Sequence, residues 1–425
     1  VAVTKLKVIY RGWGEHWWLG ELADINGRLL FEYSPEAIAR GLKFAPLQLP
    51  LPQAGAAQAA YSGPMHFQGL PGFIADSLPD GWGLLLMDRA LRKAGRDPHS
   101  ASVLERLAIV GQSAIGALAF EPADAIEAER VGLVQIATLA REVQQVAKDM
   151  QERTPAAQLR QLLVLGGSPQ GARPKALLRW RRDTDVFSKD DAGPDAGEPW
   201  LVKFPAQAEH AEVCAMEMFY ARLARAGGLD MPEAAHFPLH GGYAAFGVRR
   251  FDRVQAGRQE VRVPVQSLAA LLHADFRLPS LDYETLLLVT ARVTGDYRET
   301  LKAFGRCVFN VLTHNRDDHA KNFAFCMDAQ GRWTLSPAFD LCFSHGPGGQ
   351  HTTSVAGEGA APGRQQLLQV ARRGGVKEND ALDCIDHWQQ MLHTPQPELL
   401  EDLPIRRATL AAMRKAMGGV WSRLQ

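Results

Sequence analysis

His314-Asn315-Arg316-Asp317-Asp318-His319-Ala320-Lys321-Asn322, followed further on by Ser336-Pro337-Ala338-Phe339-Asp340, is the stretch that decides the reading of this chain. It gathers two carboxylates, an asparagine amide, a lysine and histidines into one short polar run. Apolar runs flank it, Cys307-Val308-Phe309-Asn310-Val311-Leu312 before and Phe323-Ala324-Phe325 after. A core cannot bury such groups without partners, and a surface loop rarely needs them all. Phosphoryl transfer does need them: one carboxylate to accept the hydroxyl proton, and an Asn and a later Asp to hold Mg²⁺. In protein-kinase catalytic loops the base and the metal-binding Asn are five residues apart. Asp317 and Asn322 keep that interval and Asp318 does not, so Asp317 is the candidate base. Asp340 follows a predicted strand, Arg332-Trp333-Thr334-Leu335, as a second metal ligand should. Mg²⁺ prefers one or two carboxylates plus substrate oxygens and water, so Asn322 and Asp340 suffice. A solvated helix–loop corner with Asp caps is the plainer alternative.

Working upstream, the sequence predicts a strand at Leu162-Leu163-Val164-Leu165, a Gly-rich loop from Gly166, and a second strand at Ala176-Leu177-Leu178-Arg179-Trp180. Backbone N–H groups in such a loop can cradle phosphate oxygens, and glycine lets the backbone approach closely. The loop is not a Walker A sequence, because no Gly-Lys-Ser/Thr follows. Lys203 lies inside an apolar strand, Leu201-Val202-Lys203-Phe204. Such a lysine is either a solvent-face residue or the phosphate-contacting lysine of a kinase, oriented by a helix carboxylate. The helix predicted over Glu209–Ala226 offers Glu217 for that pairing, with Glu212 as the competitor. Gly-rich loop, strand lysine, helix glutamate, Asp/Asn loop and metal Asp thus follow in the chain order of protein-kinase-like folds.

The bulk composition is compatible with this. At 425 residues and 46% hydrophobic, the chain can build two or three packed units. Lys+Arg and Asp+Glu are both 47, which excludes nucleic-acid binding through bulk positive charge. The five cysteines include no C-x-x-C pair, so neither a disulfide framework nor a zinc finger is expected. His314 and His319 lack the i, i+4 spacing of a zinc-hydrolase helix, and no G-x-S-x-G elbow is present. Val1–Leu6 shows no leader pattern and no run approaches the ~20 apolar residues of a membrane span. A soluble cytoplasmic protein is therefore expected, with no membrane partner. The opening segment reads as strands at Leu6–Tyr10, from Trp17, and at Leu29–Tyr33, with Asn26-Gly27 as the hairpin turn. Helices are predicted at Leu84–Lys93, Ala101–Leu107 and Leu133–Met150, an acidic turn over Asp190–Gly197, and a mostly helical chain beyond Phe251.

Phe73-Ile74-Ala75-Asp76-Ser77-Leu78-Pro79-Asp80-Gly81-Trp82-Gly83, Gly171–Leu177, Val202-Lys203-Phe204-Pro205, Arg250-Phe251-Asp252-Arg253 and the Asn315–Phe323 loop together resemble the HipA family of serine/threonine kinases. Those proteins are toxins of bacterial toxin–antitoxin modules. The resemblance implies an α+β, protein-kinase-like two-lobed fold with an added β-rich amino-terminal subdomain over 1–155. The N-lobe would follow over 156–248 and a helical C-lobe over 249–425. It implies ATP and Mg²⁺ as cofactors, Asp317 as base, and Asn322 and Asp340 as metal ligands. It also implies ATP contacts at Gln170, Gly171, Ala172, Arg173, Pro174, Lys175, Lys203, Arg249, Arg250, Phe251, His319, Ala320, Lys321, Asn322, Phe339 and Asp340, and autophosphorylation of Ser168. A helix-turn-helix antitoxin, DNA bound only through it, and a translation-related protein substrate complete what the family implies. The sequence departs from many relatives at Arg249, where they carry Glu, and at Arg173-Pro174, where they carry Gln-Glu. A kinase-like co-repressor scaffold, with basic contacts at Arg372-Arg373 and Arg406-Arg407, and a small-molecule kinase are the alternatives.

Overall fold

The computed structural model describes residues 3–53, 60–123, 133–149, 151–167, 169–189, 197–257 and 259–424. Strands β1 (Lys5–Tyr10), β2 (Trp17–Ile25) and β3 (Arg28–Tyr33) form an antiparallel meander. The β2–β3 turn is the expected Asn26-Gly27, both residues at positive φ (55° and 78°), with the Asp24 carboxylate accepting the Gly27 N–H at 2.8 Å. Helices α1 (Pro35–Arg40), α2 (Gly72–Ala75), α3 (Gly81–Lys93) and α4 (Val103–Val110) follow. Ser34 caps α1, and Ser102 with Glu105 forms a capping box on α4. Strand β4 (Leu118–Glu121) then completes a sheet in the order β3-β2-β1-β4.

Next come β5 (Leu133–Val134), α5 (Ile136–Lys148), α6 (Ala156–Gly166), β6 (Lys175–Arg181), β7 (Val186–Lys189), β8 (Glu198–Lys203), α7 (Glu212–Ala226), β9 (Ala234–Pro238) and β10 (Ala244–Arg249). Their six strands make an antiparallel sheet in the order β5-β7-β6-β8-β10-β9. The register sets Lys175 of β6 and Phe246 of β10 on either side of Lys203 in β8. All three side chains therefore leave one face of the sheet.

Two expectations fail in this region. Leu162–Leu165 is not a strand but the end of α6, because Leu159, Leu162 and Leu163 are buried at helical spacing after the good helix formers Ala156-Ala157-Gln158. A short apolar run cannot be assigned by periodicity alone. Leu133 does not open a helix; with Val134 it pairs with Ser188 and Phe187 of β7. Met150, the predicted end of that helix, Ser168, and the acidic turn at 190–196 lie outside the described residues.

Beyond Phe251 the chain is helical but less purely so than expected. A hairpin, β11 (Arg253–Ala256) with β12 (Gln259–Arg262), and β13 (Val265–Ser267) precede α8 (Leu268–Leu272), α9 (Tyr283–Thr294) and α10 (Tyr297–Leu312). Strands β14 (Ala324–Met327) and β15 (Trp333–Leu335) join β13, and α11 (Arg364–Arg373), α12 (Glu378–His393) and α13 (Arg407–Trp421) follow. Helix α10 is the axis of this half: Phe304, Cys307, Val308, Phe309, Val311 and Leu312 are fully buried against α9, α11, α12 and α13. It ends at Thr313, and His314 at φ 58° turns the chain into the polar run that carries Asp317 and Asn322.

Asp252 fastens the first unit to the rest. Its carboxylate accepts from Arg250 (2.8 and 2.7 Å), Arg253 (2.7 Å) and the Gly116 N–H (2.8 Å), all buried. Burial pushes that carboxyl up, but the two arginines outweigh it and hold it well below the usual carboxylate range. Removing one partner of a buried ion group strands the others, at a cost of about 3–5 kcal/mol. Asp252→Ala should therefore lower the unfolding free energy by about that amount in chemical denaturation.

Candidate active site

Lys203, at the end of β8, is buried between two carboxylates. Its Nζ donates to Glu217 Oε2 at 2.7 Å and to Asp340 Oδ1 at 2.5 Å. Burial would pull the ammonium down, but Asp340 and Glu217 more than compensate and hold it charged well above its ordinary value. Glu217, not Glu212, is the orienting carboxylate. Glu212 is engaged at the other side of α7, accepting from Arg406 Nε at 2.9 Å, Arg406 N at 2.9 Å and Thr409 Oγ1 at 2.9 Å. Those hydrogen bonds, chiefly from Arg406, draw the Glu212 carboxyl down to about 2. Arg222, further along α7, donates to the carbonyls of Leu399 (3.3 Å) and Glu401 (2.8 Å). Two of the basic residues considered for DNA contact thus have internal partners: Arg406 on Glu212 and Arg373 on Glu284.

The Gly-rich loop lies over this pair. Arg173 reaches down to Glu217 Oε1 (2.7 Å) while its Nε and Nη2 hold Glu209 (2.9 and 2.8 Å). Glu217 therefore receives one cation on each oxygen. Lys175 Nζ donates to the Gln170 carbonyl beneath Gly171, where a Cβ on Gly171 (φ 105°) would stand 2.4 Å from Nζ. Burial, and next the charge of Lys203, pull the Lys175 ammonium down to about 8. Pro174, which has no N–H, still contributes its carbonyl to Phe204 N at 2.9 Å.

The first unit is part of the site, which the sequence did not announce. Gln170 Nε2 donates to the carbonyls of Asp76 (2.8 Å) and Leu78 (3.1 Å), and Trp82 N donates to Gly171 O at 3.1 Å. Asp80 accepts from Gly171 N–H with one oxygen and from Lys321 Nζ at 2.7 Å with the other. Gly81, at φ 45°, passes so close that a Cβ would lie 2.5 Å from the Gly171 carbonyl. The stretch Phe73–Gly83 was singled out in the sequence, but nothing local says which loop it will touch.

Below the cleft, the Asp317 side chain is 61% exposed and lies 3.8 Å from His319 Nε2. Partial desolvation raises its carboxyl above the ordinary carboxylate value, and the charge of His319 opposes this. Asn322 Nδ2 donates to the Asp317 carbonyl at 2.6 Å, which leaves the amide oxygen as its ligand-competent atom. Asp340, at φ 55°, completes the set; burial pushes its carboxyl up, but Lys203 and Lys175 bring it well below the usual range. Asn322, Phe339 and Asp340 line one cavity. Lys321 Nζ stands 4.0 Å over the Phe276 ring, and His319 is 5.7 Å from it. Ala320 is buried in the turn between them. At the hinge, Phe251 and Phe339 face each other at 5.7 Å. Arg249 N and Arg250 N are already donated to Glu233 O and Pro199 O, and the Arg250 guanidinium is committed to Asp252.

A lysine–glutamate pair in an antiparallel N-lobe, over an Asp/Asn loop and a following Asp in a helical half, defines a protein-kinase-like α+β fold. The chain belongs to the HipA family: residues 13–121 match the HipA N-terminal domain and residues 167–394 the HipA-like C-terminal domain. Two Sinorhizobium fredii proteins that carry kinase names are similar. Y4dM is 29% identical over 160 residues, covering 34% of this chain and 37% of that protein. Y4mE is 28% identical over 206 residues, covering 45% and 42%. The chain thus spans less than half the length of these two relatives. The fold is also that of HipA in the Shewanella oneidensis MR-1 complex of HipA, HipB and operator DNA. The TM-score is 0.70 at 16% identity, over 98% of this chain and 96% of that one.

The Lys175 environment has a measurable consequence. Its folded-state value of about 8 lies below the ordinary lysine value of 10.5, so between those limits the unfolded chain binds more protons and stability rises with pH. Lys175→Met should raise the unfolding free energy at pH 7 by about 2–3 kcal/mol and flatten the rise between about pH 8 and 10.5, as read by urea denaturation across that range.

Proposed function

We propose that this chain is an ATP- and Mg²⁺-dependent serine/threonine protein kinase and the toxin of a toxin–antitoxin module. The observation that carries the reading is Lys203 held between Glu217 and Asp340 above the Asp317–Asn322 loop. Asp340 and the Asn322 amide oxygen are hard oxygen donors and would hold Mg²⁺, which neutralises phosphate charge during transfer. That donor set suits Mg²⁺ rather than zinc, and no group of three His, Cys, Asp or Glu side chains able to hold a metal occurs among the described residues. Asp340 is kept ionised, as a ligand must be. Lys203 and Lys175, adjacent across β6 and β8, supply positive charge where phosphate oxygens would lie. Phe251 and Phe339 offer apolar surface to a base. Asp317, open to solvent, accepts the proton of the incoming hydroxyl.

Family membership supports the remaining parts of the proposal. The partner is a helix-turn-helix antitoxin, with DNA engaged through it; the Shewanella structure likewise joins HipA, HipB and operator DNA in one complex. The acceptor is a translation-related protein of the aminoacyl-tRNA synthetase class, and Ser168 is the site of self-phosphorylation. The setting is the cytoplasm; no helix among the described residues is long and apolar enough to cross a membrane.

Purified chain incubated with γ-labelled ATP and Mg²⁺ should label itself, with phosphate mapping to Ser168. Asp317→Asn should slow incorporation by on the order of 10²–10⁴, and Asp340→Asn should abolish Mg²⁺-supported incorporation. Labelling that survives both substitutions unchanged would remove Asp317 and Asp340 from the mechanism.

A further inference from the structure

The two neighbours of Asp317 point into the protein and hold one segment between them. Arg316 donates to the carbonyls of Gly349 and Ala360, the latter at 2.7 Å. Asp318, 1% exposed, accepts with Oδ1 from Thr352 N (2.8 Å) and Thr353 N (3.2 Å). Its Oδ2 accepts from Tyr283 OH at 2.7 Å and pairs with His351 Nδ1 at 2.7 Å. The network continues inward: Asn310 Nδ2 donates to Tyr283 OH at 2.9 Å, and Asn315 Nδ2 to Asn310 Oδ1 at 2.9 Å. Backbone joins the same parts, with Ser344 N on His314 O (3.1 Å), Thr352 N on Arg316 O (3.3 Å) and Tyr283 N on Ser354 O (3.0 Å). Every acceptor position of the Asp318 carboxylate is used, and none is used toward the cleft.

We propose that Asp318 and His351 are positioning residues for phosphoryl transfer: they clamp residues 350–354 to the catalytic loop and so fix where the Asp317 carboxylate stands. This rests on the kinase reading above. A second carboxylate beside the base is then explained by division of labour, one open to the acceptor and one sealed beneath it. The segment from Ser344 to Ala361 follows Asp340 in sequence and is tied to both neighbours of Asp317.

The pair is tested with the full chain, following self-labelling from γ-labelled ATP in a single turnover and, separately, the affinity for Mg²⁺ with a non-hydrolysable ATP analogue. His351→Ala should slow transfer about 10–100-fold, since a displacement near 1 Å can cost that much, while analogue affinity stays within about threefold. His351→Asn, whose amide can donate where Nδ1 does, should recover most of the rate, and Asp318→Asn should resemble His351→Ala. Hydrogen exchange should show protection lost at 316–322 and 350–354 together in His351→Ala. Transfer within about threefold of the native rate in His351→Ala overturns the proposal, and so does parallel loss of transfer and analogue binding. If the native chain transfers no label, the kinase reading fails instead. Exchange then decides the clamp alone: joint loss of protection upholds it, and unchanged protection at 316–322 overturns it.

Discussion

The structure depends on one buried ammonium. Lys203 is almost out of water, and an unpaired charge there would cost several kcal/mol. Its two carboxylates come from different places, Glu217 from α7 and Asp340 from the turn after β15. Satisfying Lys203 therefore brings a helix of the strand-rich half and a turn of the helical half to the same 3 Å neighbourhood. Arg173 adds the Gly-rich loop to that junction through the second oxygen of Glu217. Four segments distant in sequence share one electrostatic knot, and the cleft is what remains between them.

The polar 314–322 loop was legible because its signal is an interval within one short segment. Asp317 to Asn322 needs only counting, and the buried run Cys307–Leu312 at the end of α10 fixes where the loop starts. The chain order of strand lysine and helix glutamate was legible too, but spacing could not separate Glu217 from Glu212; both lie on α7, and only the packing of Arg406 and Thr409 distinguishes them. Leu162–Leu165 misled because four apolar residues suit a buried helix end and a core strand equally. Asp80 was unreadable as a site residue for a different reason. Its partners, Gly171 and Lys321, are 91 and 241 residues away, and no local pattern encodes such a contact.

Those contacts alter the meaning of the first 121 residues. Their sheet is a three-stranded meander with β4 returned beside β1, but the 76–82 segment reaches over to hold both the Gly-rich loop and the 314–322 loop. The Gly171 N–H, a natural phosphate donor, faces a carboxylate supplied by the protein itself. Lys175 shows the reverse: a buried cation beside another cation is unfavourable, and its ammonium is pulled down accordingly.

The fastening of α7 has a consequence in time as well as in space. Glu212 is held by Arg406 and Thr409, and Arg222 by carbonyls at 399 and 401. Helix α7 carries Glu217, so the anchor of the active lysine is braced by residues nearly two hundred positions later. During synthesis, the strand-rich half and the Asp317 loop emerge well before that brace. A nascent chain can hold Lys203, Glu217, Asp317, Asn322 and Asp340 and still lack the contacts that Arg406 and Thr409 make with α7. The fastening of α7 is thus completed only by residues that come late in the chain, Arg406 and Thr409.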